Sequence, residues 1–228
     1  GTLSLLDAMK AARVHNIVFS STAAVYGTPV SSPIPESAHL LPINPYGTTK
    51  LTAERLLGDF AVAHGFRAAA LRYFNACGAD SLRRHGQEPG ATHIIARVLE
   101  SMRDGSPFTL NGTDYATPDG TCVRDYIHIV DLADAHMKAI EYLKRTGQSA
   151  TFNLGNGQGF SVKEIIDASE KVTGKKIPVK FAERRAGDPP TLVADATLAK
   201  EVLGWTPQFN DIEHIIQHAW TWEEKYPW

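Results

Sequence analysis

Tyr46 and Lys50 stand one above the other in "NPYGTTKLTAERLLGDF", residues 44–60. Asn44 suits the N-cap of a helix and Pro45 its first turn. Leu51, Leu56, Leu57 and Phe60 then recur at roughly helical spacing. The phenol and the ammonium therefore share one helix face, one turn apart. A cation beside a phenol favours the phenolate, which would let the tyrosine accept a proton near neutral pH. Taken alone, the same spacing more often describes an exposed tyrosine beside a solvated lysine.

Other segments carry candidate chemistry of the same open kind. In "FSSTAAVYG", 19–27, Ser20, Ser21 and Thr22 leave the end of a predicted strand. In open α/β sheets the ligand crevice lies beyond the carboxyl ends of strands, where a hydroxyl can hydrogen-bond a substrate oxygen. By itself the segment reads first as a turn. Arg124 in "CVRDYIH", Arg184 and Arg185 in "ERRAGD", and Asn75 in "RYFNACG" would suit a diphosphate if the fold brought them together. The run "LGNGQGFSVKEI", 154–165, follows a strand and opens a helix, yet Phe160 stands where a dinucleotide loop needs its last glycine. It reads as a structural turn. His214 and His218 share a helix face without an HExxH context, and no metal is assigned. Trp220, Trp222 and Trp228 read as packing near the C-terminus.

The elements that must position these residues follow from periodicity. A helix is predicted at 2–12, a strand at 15–20, a loop at 27–44, the Tyr46 helix to about 64 and a strand at 66–74. A polar loop at 78–90 precedes a helix at about 91–103 and a short strand at 108–110. An amphipathic helix covers 131–143, "TFNLG" is a strand, and Ser161 with Glu164 forms a capping box for the next helix. Helices at about 196–203 and 211–224 follow. The alternation predicts a parallel α/β sheet. With 228 residues, 43% hydrophobic and 21% charged, the chain suits one large or two small globular domains. A formal charge of -2 argues against a nucleic-acid surface. Cys77 and Cys122 form no disulfide framework, and no apolar run is long enough to span a membrane. A cytoplasmic location is the expectation.

Together, "FSSTAAVYG", "NPYGTTK", "LRYFNACGA", "DGTCVRDYIHIVDLADAH", "FNLGNGQGFSV" and "RRAGDPP" resemble the UDP-glucose 4-epimerases, in the extended branch of the short-chain dehydrogenase/reductase family. The resemblance runs over essentially the whole chain. It implies the C-terminal part of a Rossmann-like doubly wound parallel sheet plus a smaller α/β substrate domain. Residues 1–75 would belong to the NAD-binding part. Residues 76–228 would mainly bind the UDP-sugar, with some segments returning to the sheet. It implies interconversion of UDP-glucose and UDP-galactose with NAD as cofactor: oxidation at C4, rotation of the 4-ketose and re-reduction.

Carried over, Tyr46 is the catalytic base, Lys50 favours its phenolate and bonds the nicotinamide ribose, and Thr22 shares the hydrogen bonding to the reacting hydroxyl. Thr22, Tyr46, Lys50 and Phe74 fall at cofactor-contacting positions. Asn75, Arg124, Arg185 and Asp188 match positions that hold the UDP-sugar. Thr109, Leu110 and Asn111 match a uracil-binding segment, and Thr92 and His93 another substrate-contacting pair. Ala23 and Ala24 border the sugar where related 4,6-dehydratases carry an Asp-Glu pair; a related decarboxylase has Glu at the place of Ala24. Methyl groups supply neither acid nor base, which favours epimerisation. Leu192 occupies a position whose bulk sets room near the sugar. UDP-N-acetylglucosamine is therefore an alternative substrate, a 4-epimerase of UDP-glucuronate or UDP-arabinose is a further alternative, and a non-catalytic UDP-sugar-binding fragment is the alternative from another class. A homodimer is expected. The resemblance begins roughly a hundred residues into the family pattern. The expectation is a fragment without the Gly-rich pyrophosphate loop, inactive alone.

Overall fold

The computed structural model describes residues 1–185 and 187–225. Trp228, expected to pack near the C-terminus, lies outside them. In chain order the elements are α1 (Thr2–Ala11), β1 (Asn16–Ser20), α2 (Pro45–His64), β2 (Arg67–Tyr73), β3 (Asn75–Cys77), α3 (Ile94–Asp104), β4 (Phe108–Asn111) and β5 (Val123–His128). Then come α4 (Ile129–Thr146), β6 (Ala150–Leu154), β7 (Gly159–Ser161), α5 (Val162–Thr173), β8 (Val179–Ala182), β9 (Thr191–Leu192), α6 (Thr197–Leu203) and α7 (Ile212–Lys225).

Strands β1, β2 and β6 form a parallel sheet in that order. Successive residues of a strand point to opposite faces. Ala69 and Leu71 of β2 accordingly pack with Ala135, Ala139 and Leu143 of α4, while Ala68 packs with Leu57 of α2 and Leu6 of α1. The sheet is parallel, as the alternation predicts, and helices on both faces make the doubly wound arrangement that the resemblance implies. The chain reaches β6 only after a long excursion through β3–β5, so β5 and α4 link the sheet to the second body of structure.

That second body is built on β5. It pairs in parallel with β3 and β9 and antiparallel with β7, while β4 pairs with β8. Helices α3, α5 and α7 bury Val98, Leu99, Ile165, Ile215 and Ile216 against Tyr126 and Phe160. The Ser161 capping box is present: its hydroxyl accepts the Glu164 N–H at 3.0 Å, and Glu164 Oε2 accepts the Ser161 N–H at 2.7 Å. Strand β5 was not expected, and the helix placed at 91–103 begins at Ile94. Among the described residues no helix is long and apolar enough to cross a membrane.

Candidate active site

The carboxyl end of β1 and the start of α2 meet. Beyond Ser20 and the buried Ser21, the Thr22 hydroxyl accepts the Ala24 N–H at 3.2 Å and caps a short 3-10 helix, Ala23–Tyr26. Across from it, Asn44 Oδ1 accepts the Gly47 N–H at 2.8 Å and caps α2. A Cβ at Gly47 would sit 2.5 Å from the Ala24 carbonyl oxygen. Glycine there lets the first turn of α2 abut the Thr22 segment. One turn on, Lys50 Nζ donates to the Ser20 carbonyl at 2.9 Å and lies 5.7 Å from the Tyr46 ring centre. Tyr46 is 52% exposed, and neither it nor Lys50 lines the cavities that open nearby. Thr22, Tyr46 and Lys50 thus gather at one strand end.

A cavity of about 410 Å³ opens at Thr22, bounded by Thr22–Ala24, Asn44, Tyr73, Phe74 and Leu192. A second, of about 190 Å³, is lined by Thr92, Thr109, Leu110, Asn111 and Arg124. Asn75, Arg185 and Asp188 line both, which makes the two cavities neighbours. The Arg124 guanidinium donates to Asp188 Oδ1 at 2.5 Å and to the Val123 carbonyl at 2.7 Å, so its fork is held before anything enters. The Asn75 amide is anchored on the Asp125 carbonyl at 2.8 Å.

The adjacent arginines separate. Arg184 turns away to Asp114 at 2.5 Å and lies over the Tyr115 ring, whereas Arg185 lines both cavities. His93 lines neither of these two cavities. Its imidazole bonds the Gln87 side chain at 2.7 Å, and burial pushes its pKa down. Arg97 was not singled out from sequence. It lines the second cavity with Ile94, one turn before it on α3. That shared face becomes readable only once the helix start is fixed.

The Gly-rich run at 154–159 is a structural turn. Asp125 Oδ1 accepts the Asn156 N–H at 2.8 Å, and Oδ2 accepts the N–H groups of Gly157 at 3.1 Å and Ala194 at 3.0 Å. A side chain at Gly155 would collide with this carboxylate. Burial outweighs the three amides and pushes the Asp125 pKa up to about 6.

Residues 1–155 match the model of the NAD-dependent epimerase/dehydratase family. The chain is 50% identical over 224 residues to a UDP-glucose 4-epimerase of Azospirillum brasilense, covering 97% of this chain and 64% of that protein. The crystal structure of the Brucella ovis UDP-glucose 4-epimerase in complex with NAD superposes with a TM-score of 0.92 at 47% identity, over 96% of this chain and 68% of that one. The enzyme of Bifidobacterium longum, in complex with NAD+ and UDP, gives 0.90 at 40% identity, over 98% and 68%. The chain therefore spans about two thirds of the length of these relatives.

Proposed function

The chain belongs to the NAD-dependent epimerase/dehydratase family, and from that premise we propose that it carries the catalytic tyrosine and the sugar-nucleotide side of a UDP-glucose 4-epimerase. The observation that carries this reading is the meeting of Tyr46, Lys50 and Thr22 at the end of β1, beside a cavity rimmed by Arg185 and Asp188. The relatives named above are UDP-glucose 4-epimerases, two of them solved with NAD bound.

The residues present fit one end of NAD. An ammonium has three N–H donors. Lys50 directs one at Ser20, which leaves donors for a ribose hydroxyl. Phe74, at the end of β2, offers a flat apolar wall. The Gly-rich turn at 155–157 is taken by Asp125 and gives the pyrophosphate no seat. When bound, NAD supplies the site that takes and returns the C4 hydride.

The chain's own residues do the rest. Tyr46 accepts the proton of the C4 hydroxyl and later returns it to C4 oxygen, as a positioned general base and then acid. Lys50 sets its ammonium 5.7 Å from the ring centre of that tyrosine. Thr22, whose oxygen already accepts the Ala24 N–H, keeps its own proton free to donate to the reacting oxygen. Ala23 and Ala24 put methyl groups where elimination of water would need an acid and a base. Arg124, Arg185 and Asn75 hold the diphosphate and Asp188 fixes the Arg124 fork, while Thr109, Leu110 and Asn111 receive the uracil. Thr92 stands at the rim of that second cavity. Leu192 limits room near the sugar. A nucleotide held this firmly leaves the 4-ketose free to turn over between the two hydride transfers. The same proposal includes a division near residue 75 between cofactor and substrate parts, and a cytoplasmic homodimer that binds no nucleic acid.

The test is incubation of the protein carrying this chain with UDP-galactose and NAD, followed by chromatography of the sugar nucleotides. UDP-glucose is the expected product. A 4-keto-6-deoxy sugar nucleotide would overturn the reading.

A further inference from the structure

We propose that Glu54 and Arg72 are positioning residues for the reaction, holding the Tyr46–Lys50 helix face and the Thr22 segment in one register. The proposal rests on the epimerase reading above. Glu54 lies on α2 one turn beyond Lys50 and two beyond Tyr46, so the three share a face. Its carboxylate is reached by the Ser21 hydroxyl at Oε1, by Arg72 Nε at 3.0 Å, and by Arg72 Nη2 at 2.6 Å on Oε2. Both side chains are buried, at 9% and 6% exposure.

Two successive turns of α2 are thereby tied to two successive residues of the strand end. Lys50 holds Ser20 and Glu54 holds Ser21; the next residue is Thr22. Arg72 extends the tie to the far side of that segment. Its Nη1 donates to the Tyr26 hydroxyl at 3.0 Å, and that hydroxyl donates to Asn153 Oδ1 at 2.7 Å. The Glu54–Arg72 pair therefore grips residues 21 and 26, bracketing Thr22, Ala23 and Ala24 from beneath. None of these groups lines the cavity.

Stability alone is a poor reason for such a pair. Desolvating two charges largely offsets their attraction, and well-packed apolar residues often serve as well. What a bidentate ion pair adds is geometry: a fork that fits in one orientation. Misplacing a reacting group by about 1 Å can cost on the order of 10²-fold in rate.

Ser21→Ala and Tyr26→Phe each cut one tie at a single atom, away from the groups that touch substrate. In the protein carrying this chain, each should lower kcat roughly 10- to 100-fold with the KM for UDP-galactose within about threefold. Amide hydrogen exchange over residues 45–57 should quicken while α5 and α7 keep wild-type rates. A wild-type kcat in both folded variants, or unchanged exchange at 45–57, overturns the positioning role. A fall in kcat/KM that resides wholly in KM overturns it as well. If the unmutated protein forms no UDP-glucose, the epimerase reading falls, and the exchange measurement still decides whether Glu54 and Arg72 hold α2.

Discussion

Two regions of this molecule hang their functional side chains on a buried carboxylate, and they satisfy it in opposite ways. Under α2, Glu54 meets a guanidinium and a hydroxyl. Under β5, Asp125 meets three backbone N–H groups. The first carboxylate is compensated by a full opposite charge. The second gathers partial charges from loops far apart in sequence, and burial still raises its pKa. The side chains proposed to move a proton stand on the first framework, at the end of the parallel sheet. Those proposed to hold a nucleotide, Arg124 above all, stand on the second. With these roles, chemistry and binding are expected to fail independently.

The largest effect expected is on chemistry. Tyr46→Phe removes the proposed proton acceptor and leaves Arg124, Arg185 and Asp188 untouched. Turnover should drop on the order of 10²–10⁴-fold, with UDP affinity by calorimetry within about twofold. A loss below tenfold would mean that another group takes the proton.

Next comes the amide-bound carboxylate. Asp125→Ala leaves three N–H groups without this acceptor, of which the one at Ala194 is buried, at about 1–3 kcal/mol for a group that stays dry. We expect a loss of roughly 3 kcal/mol in denaturant unfolding. UDP affinity should fall with it, because the Ala194 tie also steadies β9 and Leu192. A loss under about 1 kcal/mol would show that Asp125 does not organise this region.

The complement of the tyrosine change is Arg124→Met. It removes the charge beside the second cavity and keeps most of the side-chain volume. Binding of UDP should weaken roughly 10- to 100-fold, the scale of a lost charge-assisted contact. Turnover at saturating UDP-galactose should change less than about threefold, the signature of a uniform binding contact. Equal losses in both would mean that Arg124 also orients the sugar.

The parts of this arrangement that were legible in sequence are local. The cap at Asn44, the face shared by Tyr46 and Lys50 and the Ser161 box each lie within one or two helical turns, where spacing fixes geometry. The parallel alternation was legible for the same reason. What escaped depends on distant partners. Arg184 and Arg185 could not be told apart, because Asp114, which claims Arg184, lies 70 residues away. His93 looks like its neighbour Thr92 until Gln87 takes its ring. Strand β5 carries Arg124, Asp125 and His128 within six residues, a polar pattern unlike a buried strand. The carboxylate and amide partners of its charges come from segments that arrive later in the chain. Asp125 itself has donors 31, 32 and 69 residues on, with no local trace.

The smallest effect concerns the seam that joins the two regions. His128 ends β5 and caps α4: its Nδ1 accepts the Val130 N–H at 3.1 Å. A neutral ring must then carry its proton on Nε2, which lies 3.1 Å from His218 Nδ1 on α7 and can donate to it. The ring is buried and stacks on Phe209, and a side chain at Gly78 would strike it. Burial first, and His218 second, push the His128 pKa down to about 4 from 6.5. A depressed basic group binds fewer protons when folded than when unfolded. Its contribution is therefore fully present above about pH 6.5 and is lost as pH falls toward 4. Asp125, raised from 3.8 to about 6, has the opposite sign in an overlapping window, since the folded state there holds the extra proton. The two slopes partly cancel in the wild-type protein, so the measurement must be a difference. His128→Asn keeps a good helix cap and removes the imidazole. Urea unfolding at pH 6.5 and pH 5 should show that the wild type loses roughly 1.5 kcal/mol more than the variant on acidification. Parallel losses in the two proteins would show that His128 is not held neutral, and that the seam between the regions is insensitive to its protonation.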